Sequence, residues 1–263
     1  MAETRAGKLD IRPLTAAHVD DVKTVTRGTW GATCWDLFPR YTAAQQRALG
    51  IAQSAGGTDD RRRAVLAKLA RRRKNSAGLV AYRAGEPIGF ISLGPRHDFS
   101  VIAKSRATPA VDDVPAWVIP CITVRHGHRG RGVAVAMIRA AVHYAGKRGA
   151  QAVEAYPRAD RKRVHDDFAF YGTVPMFRKA GFRQVRGLIR GLPKTWTPRV
   201  TMRRTIRKRA APAGPPGPSA ARARARRRPA GTARTRRSAG KARSAPARRT
   251  GAGAATRARA RSR

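Results

Sequence analysis

Arginine and glycine meet at one place in the chain in an arrangement that does chemistry. Gly127, Gly130 and Gly132 fall among Arg125, Arg129 and Arg131. Before them runs the β-prone series Val118, Ile119, Ile122 and Val124; after them Met137, Ile138, Ala141, Val142 and Ala145 recur at helical spacing. A turn of this composition at a helix start exposes unpaired backbone N–H groups and the positive end of the helix dipole, and its arginines add bidentate donors. Such a turn holds a phosphate, and the expected ligand is a pyrophosphate. Gly132 allows close backbone approach and small Ala134 leaves the helix start uncluttered. Groups that could move a proton nearby are few: Glu154 between apolar neighbours on the following strand, Tyr156 at that strand's end, Tyr171 further on, and Asp98, Asp112 and His97 in a long loop.

The elements that must position these groups read off the pattern. A strand over Leu9 to Leu14 leads into a helix from about Thr15, with Val19, Val22 and Val25 on one face. The segment Trp30 to Pro39 is dense in aromatics, and a helix spans Asp59 to Lys74, acidic at its start and basic at its end. Its clusters at 61–63 and 71–74 read as a solvated face or as phosphate contacts. Gly78 to Tyr82 and Ile88 to Leu93 flank a turn and form a β-hairpin, and Gly94 to Pro115 is a loop long enough to carry function. One strand then precedes the glycine turn. The helix from Gly132 stops near Gly149, a strand runs from Gln151 to Tyr156, and Thr173 opens a helix ending at Gly181. Phe182 to Val185 and Arg199 to Thr205 are the last strands.

Two nucleotide motifs compete for the turn. The Walker-type pattern ending in Gly-Lys-Ser/Thr is absent, which excludes a P-loop NTPase. The dinucleotide fingerprint is half present in Gly130 and Gly132, with Glu154 about twenty residues on. Val135 replaces its third glycine, and several residues separate Val124 from Gly130, so it ranks second.

The six residues Arg129-Gly130-Arg131-Gly132-Val133-Ala134 resemble the acetyl-CoA loop Gln/Arg-x-x-Gly-x-Gly/Ala of the GNAT superfamily of N-acetyltransferases. Phe177 to Phe182 is similar to its second signature, Tyr-x-x-x-Gly-Phe. The resemblance covers roughly residues 8 to 205 and implies an α/β GNAT fold with a mixed, mainly antiparallel sheet flanked by helices. It implies acetyl transfer from acetyl-CoA directly to an amine. Ile122 and Val124 would meet the pantetheine arm and thioester carbonyl; Arg129, Gly130, Arg131, Gly132, Val133 and Ala134 would hold the pyrophosphate. The family's usual glutamate base has no counterpart in Trp117 to Val124, so Glu154 is the substitute candidate, a salt-bridged structural glutamate being the other reading. The usual tyrosine acid is Phe177 here, which leaves Tyr171, Tyr156 or water for that role. The resemblance also suggests that Trp30, Trp35 and Phe38 line the acceptor cleft; packing on the sheet is the competing reading. A homodimer is common in the superfamily.

Composition divides the 263 residues into a domain, 1–206, and a tail, 207–263. No acid follows Asp167 and no aromatic follows Trp196. About twenty-one Lys and Arg lie from Arg203 onward, roughly half the net charge of +42. A tail of Arg, Ala and Pro cannot build a core, so disorder is expected, with non-specific nucleic-acid binding through its phosphates. Hence an alternative reading: a nucleic-acid-associated protein whose domain is a weak or inactive acyl-CoA binder. Cys34 and Cys121 form no disulfide framework and have no metal-ligand company, so no metal site is expected. No apolar leader or membrane-length run is present, pointing to a cytoplasmic protein, nucleoid-associated if the tail binds DNA. The basic body favours a small-molecule or peptide amine over a polyamine as acceptor.

Overall fold

The computed structural model describes residues 8–29, 31–72, 75–159 and 169–206. Strand β1 (Asp10–Pro13) is followed by a 3-10 turn at Ala16–His18, helix α1 (Asp20–Thr26) and the short helices α2 (Gly31–Cys34) and α3 (Ala43–Ala48). Thr42 caps α3 in a reciprocal box with Gln45. Helix α4 (Asp59–Ala70) follows, capped by Thr58. Strands β2 (Gly78–Arg83) and β3 (Glu86–Ser92) form the expected hairpin. Within the anticipated loop lie β4 (Gly94–Pro95) and helix α5 (Ser100–Lys104). Then come β5 (Ala116–Ile119), β6 (Ile122–Val124), α6 (Val133–Lys147), β7 (Ala152–Ala155), α7 (Val174–Lys179), β8 (Arg183–Arg186) and β9 (Thr201–Thr205).

The strands form two sheets. The first, in the order β1-β2-β3-β6, is antiparallel throughout; the second, β4-β5-β7-β9-β8, has one parallel pairing, β5 with β7. The fold is thus α/β, mixed and mainly antiparallel, flanked by helices. The single strand expected over 118–124 is two strands in different sheets. Pro120, which has no N–H to offer a ladder, sits at the break, and the chain passes from one sheet to the other there.

Alternation along the strands assigns the faces. Leu79, Ala81 and Ile91 join the main core with Met137, Ile138 and Ala141 of α6, while Val80 and Phe90 point to the opposite core with Val22 and Val25 of α1 and Leu66 and Leu69 of α4. Helix α6 lies close on the hairpin because β3 carries a glycine beneath it. A Cβ at Gly89 would come within 2.9 Å of the Met137 side chain. In the second sheet Trp117, Ile119, Val153 and Ala155 face the α6 core, so Val118, Glu154 and Tyr156 face the other way. The tail from 207 onward, with its expected disorder, lies outside the described residues, as does Trp30.

Candidate functional site

The break between β5 and β6 opens a gap that the rest of the site uses. Ser92 N–H donates to the Cys121 carbonyl (2.9 Å) and Arg125 N–H to the Ile88 carbonyl (2.9 Å), so residues 121 and 125 turn their ladder groups toward β3. By alternation, 122 and 124 turn theirs away from β3, into the gap. The Ile122 N–H donates there to the Phe170 carbonyl at 2.8 Å, and alternation turns the Val124 N–H to the same side. Arg129 Nε returns to the Val124 carbonyl at 2.8 Å and folds the glycine turn back against the strand end.

The turn has the backbone that its glycines permit. Gly130 and Gly132 have φ of 73° and 78°, a left-handed conformation, and nothing lies within 4 Å of where a side chain would start on either. Gly132 is the N-cap of α6, a helix of 15 residues whose first N–H groups carry the dipole's positive end. Gly130 and Gly132, with Val133 and Ala134, line a cavity of about 830 Å³. The cavity passes the β6 wall of Ile122, Thr123 and Val124 and continues to residues of α1, α2 and α5. Its size lies in the range of small-molecule sites.

Four buried side-chain polar atoms among the described residues have no hydrogen-bond partner: Asp36 Oδ1, Arg83 Nε, His128 Nδ1 and Arg199 Nε. Three of the four belong to residues lining this cavity. Buried polar groups are ordinarily satisfied, so their concentration here points to a ligand site. The polar orphans, the open glycine backbone and the long gap together fit a phosphate-bearing, elongated ligand.

The predicted catalytic residues part company. Tyr171 lines the cavity, its ring under the Arg199 guanidinium (4.6 Å) and tilted against Phe170 (4.1 Å). Burial pushes its phenol above the ordinary value, which keeps the proton on the oxygen. Glu154 does not line the cavity. It is 1% exposed on the opposite sheet face, with Oε1 taking Arg203 at 2.7 and 3.0 Å and Oε2 taking the Tyr156 hydroxyl at 2.8 Å. Arg96 stands 3.7 Å from Oε2 as well. With both oxygens spent, this is the arrangement of a structural carboxylate. Tyr156 is part of the same cluster. Phe177 is fully buried against Phe182 (5.2 Å), in the core.

The loop candidates are occupied elsewhere: Asp98 pairs with Arg72 and Asp112 with Arg203, and His97 is exposed beside Asp98. Among the described residues of the two basic clusters none lines the cavity; Arg62 is buried and donates to the Ile51 and Gly57 carbonyls, and Arg63 pairs with Asp20. The aromatic segment divides. Trp35 packs in the core with its indole N–H on Asp59 (3.1 Å), whereas Phe38 lines the cavity.

Among the lining residues that the sequence reading passed over is an acid. Asp36 is the only carboxylate among the described residues lining the cavity. Its Oδ2 accepts from Ser92 Oγ (2.7 Å) and from Arg40 Nη2 (3.1 Å) and Nε (3.2 Å). Burial raises its carboxyl to about 6, against the lowering effects of Arg40 and Ser92. Only its i,i+4 relation to Arg40 could have drawn notice, and Ser92 is 56 residues away. Cys34 and Cys121 line the cavity too, as free thiols.

Comparison with known proteins decides the family. The acetyltransferase (GNAT) family profile matches residues 39–172, about half of the chain. The chain belongs to the GNAT acetyltransferase family. No curated protein sequence matches it. Solved structures to which this GNAT chain is similar include YncA of Salmonella typhimurium with its cofactor acetyl-CoA (17% identity, 78% of this chain and 98% of that one, TM-score 0.47). Others are a ribosomal-protein-alanine N-acetyltransferase from Brucella melitensis (18%, 75% and 99%, 0.46) and the PaiA N-acetyltransferase from Thermoplasma acidophilum in complex with coenzyme A (14%, 76% and 99%, 0.42). For this GNAT chain the cosubstrate is acetyl-CoA. No helix among the described residues is long and apolar enough to cross a membrane.

Proposed function

We propose that the chain is an N-acetyltransferase that moves the acetyl group of acetyl-CoA to an amine by direct transfer. The observation that carries this reading is one cavity lined both by the open glycine turn and by β6, at the edge that faces away from β3. Acetyl-CoA supplies an activated acyl carbon and a thiol leaving group. The residues proposed to hold it are Arg129, Gly130, Arg131, Gly132, Val133 and Ala134 at the pyrophosphate, and Ile122 and Val124 along the arm. Because the Ile122 N–H is spent on Phe170, the Val124 N–H is the group suited to donate to a developing oxyanion. Tyr171, which lines the same cavity and is kept protonated by burial, is the residue proposed to give a proton to the departing sulfur. Glu154 receives no part in the proton transfer, since both its oxygens are engaged away from the cavity.

The reading is tested by thiol release when the full chain is mixed with acetyl-CoA and a panel of primary amines. Amine-dependent, saturable release is expected; release without amine, or none above buffer, would sink the proposal. The proposed domain of 1–206 and tail of 207–263 separate in a second assay, in which removing the tail abolishes salt-sensitive DNA binding and leaves acetyl transfer intact. DNA affinity that survives the deletion would place nucleic-acid binding elsewhere.

A further inference from the structure

Besides the glycine turn and β6, the cavity is walled by Val22, Phe38, Pro39, Val101 and Ile102. One carboxylate stands in this apolar surface. Asp36 is 2% exposed at its side chain, and while Oδ2 carries the Arg40 and Ser92 bonds, Oδ1 is buried with no partner. A buried carboxylate oxygen left bare costs desolvation that a structural ion pair would have no reason to retain.

The backbone is bent to hold it there. Trp35 and Asp36 have φ of 50° and 60°, two consecutive residues in the left-handed region that side chains other than glycine's disfavour. Trp35 is fixed by its bond to Asp59, and Arg40 lies on the face of Phe99 at 4.1 Å. Ser92 completes the placement: its Oγ donates to Asp36 and its N–H to the Cys121 carbonyl at the strand break. One residue therefore ties the carboxylate to the gap in which the thioester is proposed to lie.

We propose that Asp36 Oδ1 receives the ammonium of the acceptor and takes its proton, and that the acceptor is a primary amine on an apolar, otherwise uncharged body. This rests on the acetyltransferase reading. One N–H bond of the ammonium breaks and its proton passes to Oδ1, then to water. The freed lone pair forms the C–N bond as the C–S bond breaks, and the second amine proton goes to the departing sulfur. A single carboxylate in an apolar wall serves one cation, so a polyamine's further charges would be buried unpaired. The groups facing Asp36 are Arg40, Ser92 and the thiols of Cys34 and Cys121, both held neutral by burial. A carboxyl at about 6 is a base at neutral pH and still basic enough to accept a proton.

The test compares wild type with Asp36→Asn, and with the double variant Asp36→Asn/Arg40→Gln, which removes the guanidinium left uncompensated. Each full chain is given 2-phenylethylamine, protonated at neutral pH, and phenylhydrazine, largely unprotonated. Calorimetric binding of acetyl-CoA is measured beside them. Expected are unchanged acetyl-CoA affinity, loss of about 10²- to 10⁴-fold in turnover of 2-phenylethylamine, and a loss below about tenfold for phenylhydrazine. In wild type, turnover of 2-phenylethylamine climbs with pH through about 6, and the variants lack that limb. Equal loss for both nucleophiles, or none, would overturn the role of Asp36. Preference of the wild type for spermidine over 2-phenylethylamine would overturn the acceptor class. Failure of the wild type to bind acetyl-CoA would instead strike the acetyltransferase reading itself.

Discussion

Gly132→Asp separates the pyrophosphate cradle from a merely glycine-rich turn. Gly132 has φ 78° at the N-cap of α6, with open space around its missing side chain. An aspartate there meets no steric obstacle and pays about 1 kcal/mol for the left-handed backbone, partly offset by about 0.3–1 kcal/mol from its charge at the helix N-terminus. The fold should survive. Toward a phosphate the same carboxylate is a like charge: at a separation near 4 Å the repulsion is about 1 kcal/mol in bulk water and about 4 kcal/mol at a protein surface. Acetyl-CoA affinity should therefore fall roughly tenfold to a thousandfold, one decade per 1.4 kcal/mol. Gly127→Asp is the control, since Gly127 shares the conformation (φ 83°) and the open surroundings but does not line the cavity. Calorimetric titration of both variants, in salt high enough to quiet the basic tail, reads the difference. Equal affinities for the two variants would refute the cradle.

Glu154→Gln should cost about 3 kcal/mol of stability, because it breaks a buried pair with Arg203 and Arg96, yet change turnover less than about threefold. A loss of turnover near 10²-fold or more in a protein with unchanged melting would return Glu154 to the role of base. Cys34, whose thiol burial pushes up to about 12, and Cys121, raised by burial as well, should resist iodoacetamide at pH 8 and react promptly once urea unfolds the chain. Fast alkylation of the folded protein would contradict their placement. Asp36 binds its proton more tightly folded than unfolded, so its stabilising contribution is full below about pH 4 and is lost as pH rises through about 6, on the order of 3 kcal/mol. The lowered carboxyls of Asp20, Asp59 and Asp112 act in the opposite sense and below that window. Urea unfolding between pH 4 and 7 should show the decline in wild type and not in Asp36→Asn; a decline retained in the variant would assign it to another group.

Local pattern made the hairpin, the glycine turn and α6 legible, because each rests on periodicity or on residues with only one backbone use. The two-sheet break was written in Pro120, but the apolar residues on either side read as one strand, and only pairing partners reveal that they belong to different sheets. Alternation along β7 places Glu154 opposite Val153 and Ala155 yet does not say which sheet face holds the cavity. That depends on where α6 packs. Asp36 was hidden for the same reason: its meaning comes from Ser92 and Cys121, far off in sequence, and its own segment looks like an aromatic packing loop. Tyr171 was within reach because it is near the position that Phe177 vacates.

Two free cysteines in the cavity give direct transfer a concrete competitor, a covalent acetyl-thiol intermediate on the protein. Rapid-quench intact mass spectrometry, in a single turnover of deuterated acetyl-CoA with 2-phenylethylamine, follows the label directly. Direct transfer predicts that the label passes from cosubstrate to the amine nitrogen with no acetylated protein at any time point. A chain that is transiently heavier by one labelled acetyl group at Cys34 or Cys121, formed and consumed at the rate of turnover, would contradict it.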